Sequence, residues 1–121
     1  MTSYKELEVW KAAVALVKDV YSLTKHFPKE EQYGLTSQVR RAAVSIAANI
    51  AESNGRQYKK DSLQLLHIAR GSLYELDTLV TISRTVDLLD EDSQRSLEQQ
   101  ITACLKLLNG FIRYMENSEL K

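Results

Sequence analysis

The stretch Leu35–Ser53, LTSQVRRAAVSIAANIAES, has the pattern of one helix, and its faces differ sharply in character. At about 100° per residue, its polar side chains fall within an arc of about 80°. They form a polar stripe made of Gln38, Arg41, Ser45, Asn49 and Glu52. An apolar stripe beside it consists of Leu35, Val39, Ala42, Ile46 and Ile50. The remaining surface carries Val44, Ala47, Ala48 and Ala51, with Arg40 as its only charge.

This helix is short of the charges that a surface helix normally presents to water. Between Leu35 and Glu52 only Arg40, Arg41 and Glu52 are charged. We therefore expect the helix to be buried on more than one side. In a chain of 121 residues, the second covering surface is expected to be another copy of the protein, so the sequence predicts a homo-oligomer.

The composition indicates one all-α domain over residues 1–121. Apolar residues make up 44% of the chain, and it has one proline and four glycines, which favours helices over a turn-rich β protein. The formal net charge is zero, which argues against a simple polycation that coats nucleic acid. The charge is nevertheless unevenly distributed. Residues 35–70 hold six basic and two acidic residues (net +4), and residues 71–121 hold five basic and nine acidic residues (net −4).

Cellular location is predicted from what the chain lacks. No signal peptide is visible at its start, and no stretch reaches the roughly 18 uncharged apolar residues that a membrane span needs. We expect a cytoplasmic protein that does not contact membranes. Cys104 is the only cysteine, so an intramolecular disulfide is impossible. Its apolar helical position predicts a buried thiol.

Four long helices are predicted, at Tyr4–His26, Leu35–Ser53, Lys59–Val86 and Glu91–Glu116. Each shows apolar residues at spacings of three and four, and the connections between them are short. This pattern predicts an antiparallel up-down-up-down four-helix bundle. The third helix has two neighbouring seams, which suggests two packing partners. The first seam is Ser62, Leu66, Ala69, Leu73, Leu76, Val80 and Ser83, and the second is Leu65, Ile68, Ser72, Leu79, Ile82 and Val86.

Local signals set the expected helix ends. Ser3, with Glu6 three residues later, resembles a capping box for the first helix, and Pro28 is expected to end it. Thr36 or Ser37 lies near the start of the second helix. Asn54 and Gly55 are expected to end the second helix, since glycine is able to take a left-handed conformation. The predicted core face of the first helix is Leu7, Trp10, Val14, Val17, Tyr21 and Thr24, widened by Ala13, Leu16, Val20 and Leu23.

The polar stripe is the best candidate for a specific site. A hairpin that turns near Arg56 would place Arg41 opposite Ser72 and its neighbour Gly71, with Glu75 beside Gln38. It would also place Glu52 opposite Lys60. Three interpretations remain open: a buried network that fixes helix register, a network between subunits, or a catalytic or ligand site in which Glu52 and Glu75 do acid–base work.

No motif in the sequence points to a cofactor or a metal. A nucleotide-binding glycine loop, a zinc-ligand cluster and a nucleophile motif are all missing. Di-metal bundles use a Glu three residues before a His, and neither His26 nor His67 has one. We expect no cofactor, no metal and no enzymatic activity.

A basic corner is predicted where the second and third helices connect. It consists of Arg56, Lys59 and Lys60, with Arg40 nearby, and Tyr58 lies among them in position to stack on a base. The corner indicates either contact with RNA or DNA or a solvated loop. The acidic stretch Asp87–Asp92 would lie at the opposite end of the bundle. A ring of copies would then have one basic and one more acidic rim.

The central helices carry a recognisable signature. It consists of Leu35, Gln38, Arg41, Ala42, Ser45, Ile46, Asn49, Ile50, Ala51, Glu52, Arg56, Ala69, Ser72, Glu75 and Leu76. The signature resembles that of four-helix bundle proteins first noticed as open reading frames in intervening sequences of bacterial large-subunit ribosomal RNA genes. Leu7, Val9, Trp10 and Tyr21 in the first helix, and Phe27, Pro28 and Glu31 after it, fit the same family. Ser53 departs from it, since the family often has Gly there.

The resemblance implies a fold and an assembly more than an activity. It implies an up-down bundle that forms ring-shaped homopentamers, and it implies no enzyme. A related branch comprises the accessory variability proteins of diversity-generating retroelements, which form similar basic rings that engage a reverse transcriptase and nucleic acid. By this analogy RNA or DNA is an expected partner.

Overall fold

The computed structural model describes residues 3–119, and these form four α-helices with no strand among them. The helices are α1 (Glu8–Thr24), α2 (Leu35–Ser53), α3 (Lys59–Thr85) and α4 (Glu91–Glu116). Single 3₁₀ turns at Tyr4–Glu6 and Lys29–Glu31 precede α1 and α2. The predicted all-α class is therefore confirmed.

Successive helices pack side by side, and α4 closes the bundle against α1. Hydrogen bonds show their directions. The Ser62 hydroxyl donates to the Ser53 carbonyl at 2.8 Å, so α3 begins where α2 ends. Lys59 Nζ donates to the Glu116 carbonyl at 3.2 Å, so α3 begins beside the end of α4. Gln100 Nε2 donates to Asp19 Oδ2 at 2.7 Å, which joins the early part of α4 to the late part of α1. The result is the predicted up-down-up-down bundle.

One apolar core runs through the bundle and includes residues from all four helices. The first predicted seam of α3 is buried along its whole length: Ser62, Leu66, Ala69, Leu73, Leu76, Val80 and Ser83. The two end serines satisfy their hydroxyls on carbonyls, because Ser62 bonds to Ser53 and Ser83 donates to the Leu79 carbonyl at 2.8 Å. These two buried hydroxyls thus keep hydrogen-bond partners, as buried polar groups generally do.

The first helix is shorter than the predicted Tyr4–His26. Leu7 has extended dihedral angles (φ −69°, ψ 129°), which separates the 3₁₀ turn from α1. Ser3 Oγ accepts from the Lys5 amide at 3.2 Å, so it caps that turn, and the predicted capping of the long helix is wrong. The helix ends at Thr24 because Phe27 folds back into the core, its amide bonded to the Thr24 carbonyl at 3.1 Å.

The helix ends also differ from the predicted turn chemistry. Helix α2 ends at Ser53, directly before Asn54 and Gly55 as predicted, but no glycine within residues 3–119 has a positive φ. The end of α2 tightens instead, with the Gly55 amide bonding to the Glu52 carbonyl at 3.0 Å. The left-handed residue is Asp87 (φ 64°), a residue type that tolerates this region. It follows α3, which ends at Thr85, one residue before the predicted Val86.

A side chain outside the helix caps the start of α2. Glu31 Oε1 accepts from the Leu35 amide at 3.1 Å. A Cβ atom at Gly34 would lie only 2.8 Å from that oxygen, so the glycine leaves room for the cap. Thr36 and Ser37, the predicted starting residues, lie inside the first turn. Within residues 3–119, none of the helices has the length and apolar character of a membrane span.

Candidate functional site

The polar stripe of α2 has an inner part that forms a small hydrogen-bond network with α3. The hydroxyl oxygens of Ser45 and Ser72 lie 2.9 Å apart. The Asn49 side-chain amide donates to Ser45 Oγ at 3.0 Å and to the Ser45 carbonyl at 2.8 Å. Ser72 is buried, and Ser45 and Asn49 are half-buried. These three residues join α2 to α3 in the way that the first of the three interpretations, a network that fixes helix register, requires.

The charged part of the stripe lies outside this network. Gln38, Arg41, Glu52 and Glu75 are all exposed in the single chain, so a network buried within one subunit, which is one of the three interpretations, does not include them. Glu52 Oε1 accepts from Arg56 Nη2 at 2.6 Å, where Lys60 was the predicted neighbour. Helical spacing predicts that these side chains lie along the groove between α2 and α3. It does not predict whether they are buried inside that groove or exposed at its outer edge.

The register of α2 against α3 is shifted from the predicted one. Ser45, one helical turn beyond Arg41, is the residue that meets Ser72. The shift arises at the connection, where the first α3 side chain bonded to α2 is Ser62. The first turn of α3, starting at Lys59, therefore overhangs the end of α2.

A cleft of about 540 Å³ lies between the α1–α2 connection and the outer side of α2. It is lined by Tyr21, Gln32, Tyr33, Thr36, Ser37, Arg40, Arg41, Val44 and Ser45. Arg40 is held in place there, since its Nε donates to Thr24 Oγ1 at 2.9 Å and its guanidinium carbon lies 4.4 Å from the Tyr21 ring centroid. Arg40 is thus far along α2 from Arg56, and its predicted place near the basic corner is wrong.

An exposed apolar face lies where α2 borders α1. Val14 and Val44 are 40% and 42% exposed, and Ala48 is exposed between them. They line a groove of about 270 Å³ together with Trp10, Val17, Ala47 and Ala51. Val14 and Tyr21 were predicted in the core face of α1, yet each is 40% exposed and lies at the edge of that face.

A second apolar strip lies on the other side of α2, along α3. Ile68 and Ile82 are 47% and 40% exposed, and Val86 is exposed beyond them. They belong to the second predicted seam of α3, of which Ser72 and Leu79 are buried. The seam is thus only half covered within one chain, and Glu75 lies in its uncovered part.

The basic corner is partly occupied by contacts within the chain. Arg56 pairs with Glu52 at 2.6 Å. Lys59 Nζ donates to the Glu116 and Ser118 carbonyls at 3.2 and 2.9 Å. These bonds join residues that are far apart in the sequence, so no local sequence pattern predicts them. Lys60 and Tyr58 remain exposed. The predicted patch therefore offers fewer free cations than its sequence suggests.

Two ionisable groups have clearly shifted pKa values, each for a structural reason. Burial raises the pKa of the Cys104 thiol from 9.0 to about 11, which keeps it protonated and unreactive. The Ser93 backbone amide holds the pKa of Asp90 below its usual value, because Asp90 Oδ1 accepts from it at 2.7 Å as the N-cap of α4. Within residues 3–119, no three His, Cys, Asp or Glu residues lie together in an arrangement that could hold a metal.

Comparison with known proteins identifies the family. Residues 5–110 match the family model described as 23S rRNA-intervening sequence protein. A search of curated proteins finds no match. The fold is similar to the crystal structure of a protein of unknown function from the S23 ribosomal protein family of Bacteroides thetaiotaomicron VPI-5482. The TM-score is 0.79 at 22% sequence identity, over 86% of this chain and 97% of that one. Since the family model spans most of the chain, the protein belongs to the 23S rRNA-intervening sequence protein family.

Proposed function

We propose that this protein is a non-enzymatic assembly module of the cytoplasm that works by associating with copies of itself, with a pentamer as the expected assembly. The observation that supports this proposal is the outer surface of α2. Val44 and Ala48 are exposed on a helix with few charges, and Val14 continues the apolar surface onto α1. Contiguous exposed apolar surface of this kind typically marks an interaction site.

The small side chains of α2 favour close packing against another copy. Ala47, Ala48 and Ala51 line the apolar groove, and side chains of this size let a second backbone come close. The exposed strip with Ile68 and Ile82 on α3 provides a further apolar surface. Two different patches on one chain can pair head to tail, and such contacts generate closed rings when the rotation closes.

The polar groups of α2 favour a structural role over a catalytic one. Ser45, Asn49 and Ser72 satisfy one another. The polar stripe contains no histidine or cysteine, so no nucleophile lies beside a histidine base in it. The stripe is better suited to holding helices together than to acid–base chemistry.

Light scattering after size exclusion tests the assembly. The wild-type protein should show a mass several times 13.8 kDa. Ala48→Arg places a charge in the apolar face and should lower the mass to that of one chain, while circular dichroism remains helical. Ala15→Arg is the matched control, because Ala15 lies on the exposed side of α1 away from α2. A wild-type monomer, or an Ala48→Arg variant that assembles normally, would contradict the proposal.

Nucleic-acid binding is the second candidate, and a different set of cations favours it. Lys60, Arg70 and Arg113 form no ion pair with a carboxylate of residues 3–119. Lys60 lines a groove of about 760 Å³ with Lys59, Leu63, Gln64 and His67. Arg70 lies beside this groove, with its Nη2 2.9 Å from His67 Nδ1. Repeated in several copies, these side chains would present a positive surface to phosphates.

Fluorescence anisotropy with a structured RNA at two salt concentrations tests this candidate. Binding should weaken steeply as salt rises. Replacing Lys60 and Arg113 by Ala should weaken it further, and replacing Lys11 and Lys18 on the far side of α1 should have little effect. No binding at low salt, or equal loss in both double variants, would rule out this surface.

A further inference from the structure

The cleft beside the start of α2 has a positively charged lining. Its volume of about 540 Å³ lies within the range of small-molecule sites, roughly 300–1,000 Å³. Arg40 and Arg41 both line it, and none of the lining residues is an aspartate, a glutamate or a lysine. The other lining residues are two tyrosines, several polar side chains and one valine. The cleft is therefore suited to an anionic ligand.

Arg40 is held in one orientation before any ligand arrives. Its Nε donates to the hydroxyl of the buried Thr24 at 2.9 Å, and its Nη2 lies 3.5 Å from the Tyr21 carbonyl oxygen. Its guanidinium carbon lies 4.4 Å from the Tyr21 ring centroid. Neither hydrogen of Nη1 has an acceptor within residues 3–119, so both are free to bind a ligand. A donor that is already fixed costs less entropy to use.

Arg41 supplies a second cation. It is exposed and forms no ion pair with a carboxylate of residues 3–119. A phosphate monoester carries a charge of roughly −1.5 to −2 at pH 7, which two guanidinium groups can balance. The planar guanidinium also matches the spacing of two phosphate oxygens. Two arginines in one cleft thus favour a phosphate over a singly charged anion.

The first turn of α2 adds backbone donors to the cleft. Glu31 Oε1 accepts from the Leu35 amide, and the Gln38 amide donates to a carbonyl one turn earlier. Between them, the amides of Thr36 and Ser37 have no acceptor within residues 3–119. Both residues line the cleft. The partial positive charge at the start of a helix favours an anion at this position.

The Thr36 side chain is a separate indication of a ligand. Thr36 is 8% exposed and lines the cleft, yet its hydroxyl has no hydrogen-bond partner within residues 3–119. Buried hydroxyls normally have one. Thr24, the other buried threonine of the described residues, donates to the Val20 carbonyl at 2.7 Å. A phosphate oxygen in the cleft would give the Thr36 hydroxyl an acceptor.

The charge balance at this end of α2 stays positive when Glu31 is included. Its carboxylate caps the helix through the Leu35 amide and does not line the cleft. Together with Arg40 and Arg41 it leaves a net charge of +1. Glu31 therefore reduces the attraction for a phosphate without reversing it.

Two tyrosines indicate that the ligand also carries a flat ring. Tyr33 is 91% exposed and Tyr21 is 40% exposed. One face of the Tyr21 ring is covered by Arg40, whereas Tyr33 stacks on no other aromatic ring within residues 3–119. A nucleobase stacks well on an exposed tyrosine. The side-chain amide of Gln32, which also lines the cleft, can donate to and accept from the edge of a base.

We propose that this cleft binds a nucleoside monophosphate. The phosphate lies against Arg40, Arg41 and the first-turn amides of α2, and the base stacks on Tyr33. This function goes beyond the proposed self-association, because all the lining residues belong to one chain. Val44 alone lines both the cleft and the apolar groove, so the two surfaces are largely separate.

Isothermal titration calorimetry of the full chain with adenosine 5′-monophosphate (AMP) tests the site. We expect saturable binding of one AMP per chain, with a dissociation constant below about 1 mM. Adenosine lacks the phosphate, and inorganic phosphate lacks the base. Each should bind about 10-fold or more weakly than AMP, because each leaves half of the site unfilled.

Three variants locate the binding. Arg41→Gln should raise the dissociation constant for AMP by about 10-fold or more, since it removes charge-assisted hydrogen bonds. Tyr33→Ala should raise it by about 5-fold or more through the loss of stacking, and should leave the binding of inorganic phosphate unchanged. Arg113→Gln is the matched control, because Arg113 is exposed near the end of α4, at the opposite end of the bundle from the start of α2. It should bind AMP as the wild-type protein does.

The results also separate this inference from the proposed self-association. Absence of saturable AMP binding contradicts the site, and equal affinity for AMP and inorganic phosphate contradicts its ligand class. An equal loss in Arg113→Gln and Arg41→Gln contradicts this location. If Arg41→Gln loses the wild-type helical signal or mass, Tyr33→Ala on the exposed connection decides instead. A monomeric wild-type protein that binds AMP contradicts only the self-association, and an oligomer that does not bind AMP contradicts only this inference.

Discussion

The hydroxyl oxygens of Ser45 and Ser72 lie 2.9 Å apart, and this contact joins the most extensively packed pair of helices in the bundle. The Asn49 amide donates to the same Ser45 hydroxyl at 3.0 Å, so the polar atoms satisfy one another. Ala42 and Ala69, each three residues before one of these serines, are both buried. Small side chains thus let the two helices approach closely.

Enlarging Ser72 should therefore destabilise the protein. Ser72→Leu forces a large side chain into a close helix contact, which should lower the free energy of unfolding by about 1–3 kcal/mol. Urea denaturation followed by circular dichroism measures this change. Thr78→Leu is the matched control on the exposed side of α3, and it should change stability by about 0.5 kcal/mol or less. Equal effects of the two substitutions would show that the contact has room for a leucine.

Helical periodicity predicts the core of this fold well. The seam from Leu66 to Val80 is buried because apolar residues at spacings of three and four must share one face, and the bundle covers that face. The same spacing correctly predicts that Cys104 is buried. Acidic residues at the start of α4 also predict its N-terminal end, where Asp90 is the cap.

The features that the sequence did not predict are contacts between residues far apart in the chain. Nothing local indicates that Lys59 bonds to carbonyls near the end of α4, or that Arg40 lies over Tyr21. The register of α2 against α3 depends on how far the first turn of α3 extends past the end of α2. Pairing residues by their distance in sequence from the turn does not predict that extension. Whether Arg41 lies at the inner or outer edge of α2 depends on that geometry too.

Lys59 should contribute to stability through the end of α4. Its ammonium group donates to the Glu116 and Ser118 carbonyls, and the last carbonyls of a helix need partners from outside the helix. Lys59→Met removes both bonds and keeps the apolar stem, so it should lower the free energy of unfolding by about 1–2 kcal/mol. Thermal melting measures the loss. Lys60→Met, one residue away and exposed, should leave the melting temperature nearly unchanged, and a larger loss there would contradict the capping role.

Asp90 should make the stability of α4 depend on pH. The Ser93 amide lowers the pKa of the Asp90 carboxyl in the folded state from its ordinary value of 3.8. The stabilisation is therefore fully present above pH 3.8 and is lost as the pH falls through the lowered pKa. Asp90→Ala should be less stable than the wild-type protein at neutral pH, and the difference should shrink in acid. Asp90→Ser keeps a neutral cap, so its stability relative to Asp90→Ala should vary little over the same acidic range.

Cys104 should be nearly inert to thiol reagents in the folded protein. Burial raises its pKa from 9.0 to about 11, which lowers the reactive thiolate fraction at neutral pH by about 100-fold. Alkylation with iodoacetamide, followed by mass spectrometry, should be at least that much slower in buffer than in concentrated urea. Comparable rates in both solutions would mean that the thiol is accessible in the folded state.

The same thiol should reduce stability at high pH. The folded state holds the proton of Cys104 more tightly than the unfolded state does, because its pKa rises from 9.0 to about 11 on folding. The stabilisation that comes from this difference in pKa is fully present below pH 9.0 and is lost as the pH rises through about 11. Between these values unfolding releases a proton, so a higher pH favours the unfolded state. Cys104→Ala removes the titrating group and leaves a small cavity, so its stability should be lower than that of the wild-type protein at pH 7, with the gap narrowing between pH 9.0 and about 11. Chemical denaturation of both proteins across this range measures the gap, and a constant difference would show that the thiol titrates alike in the folded and unfolded states.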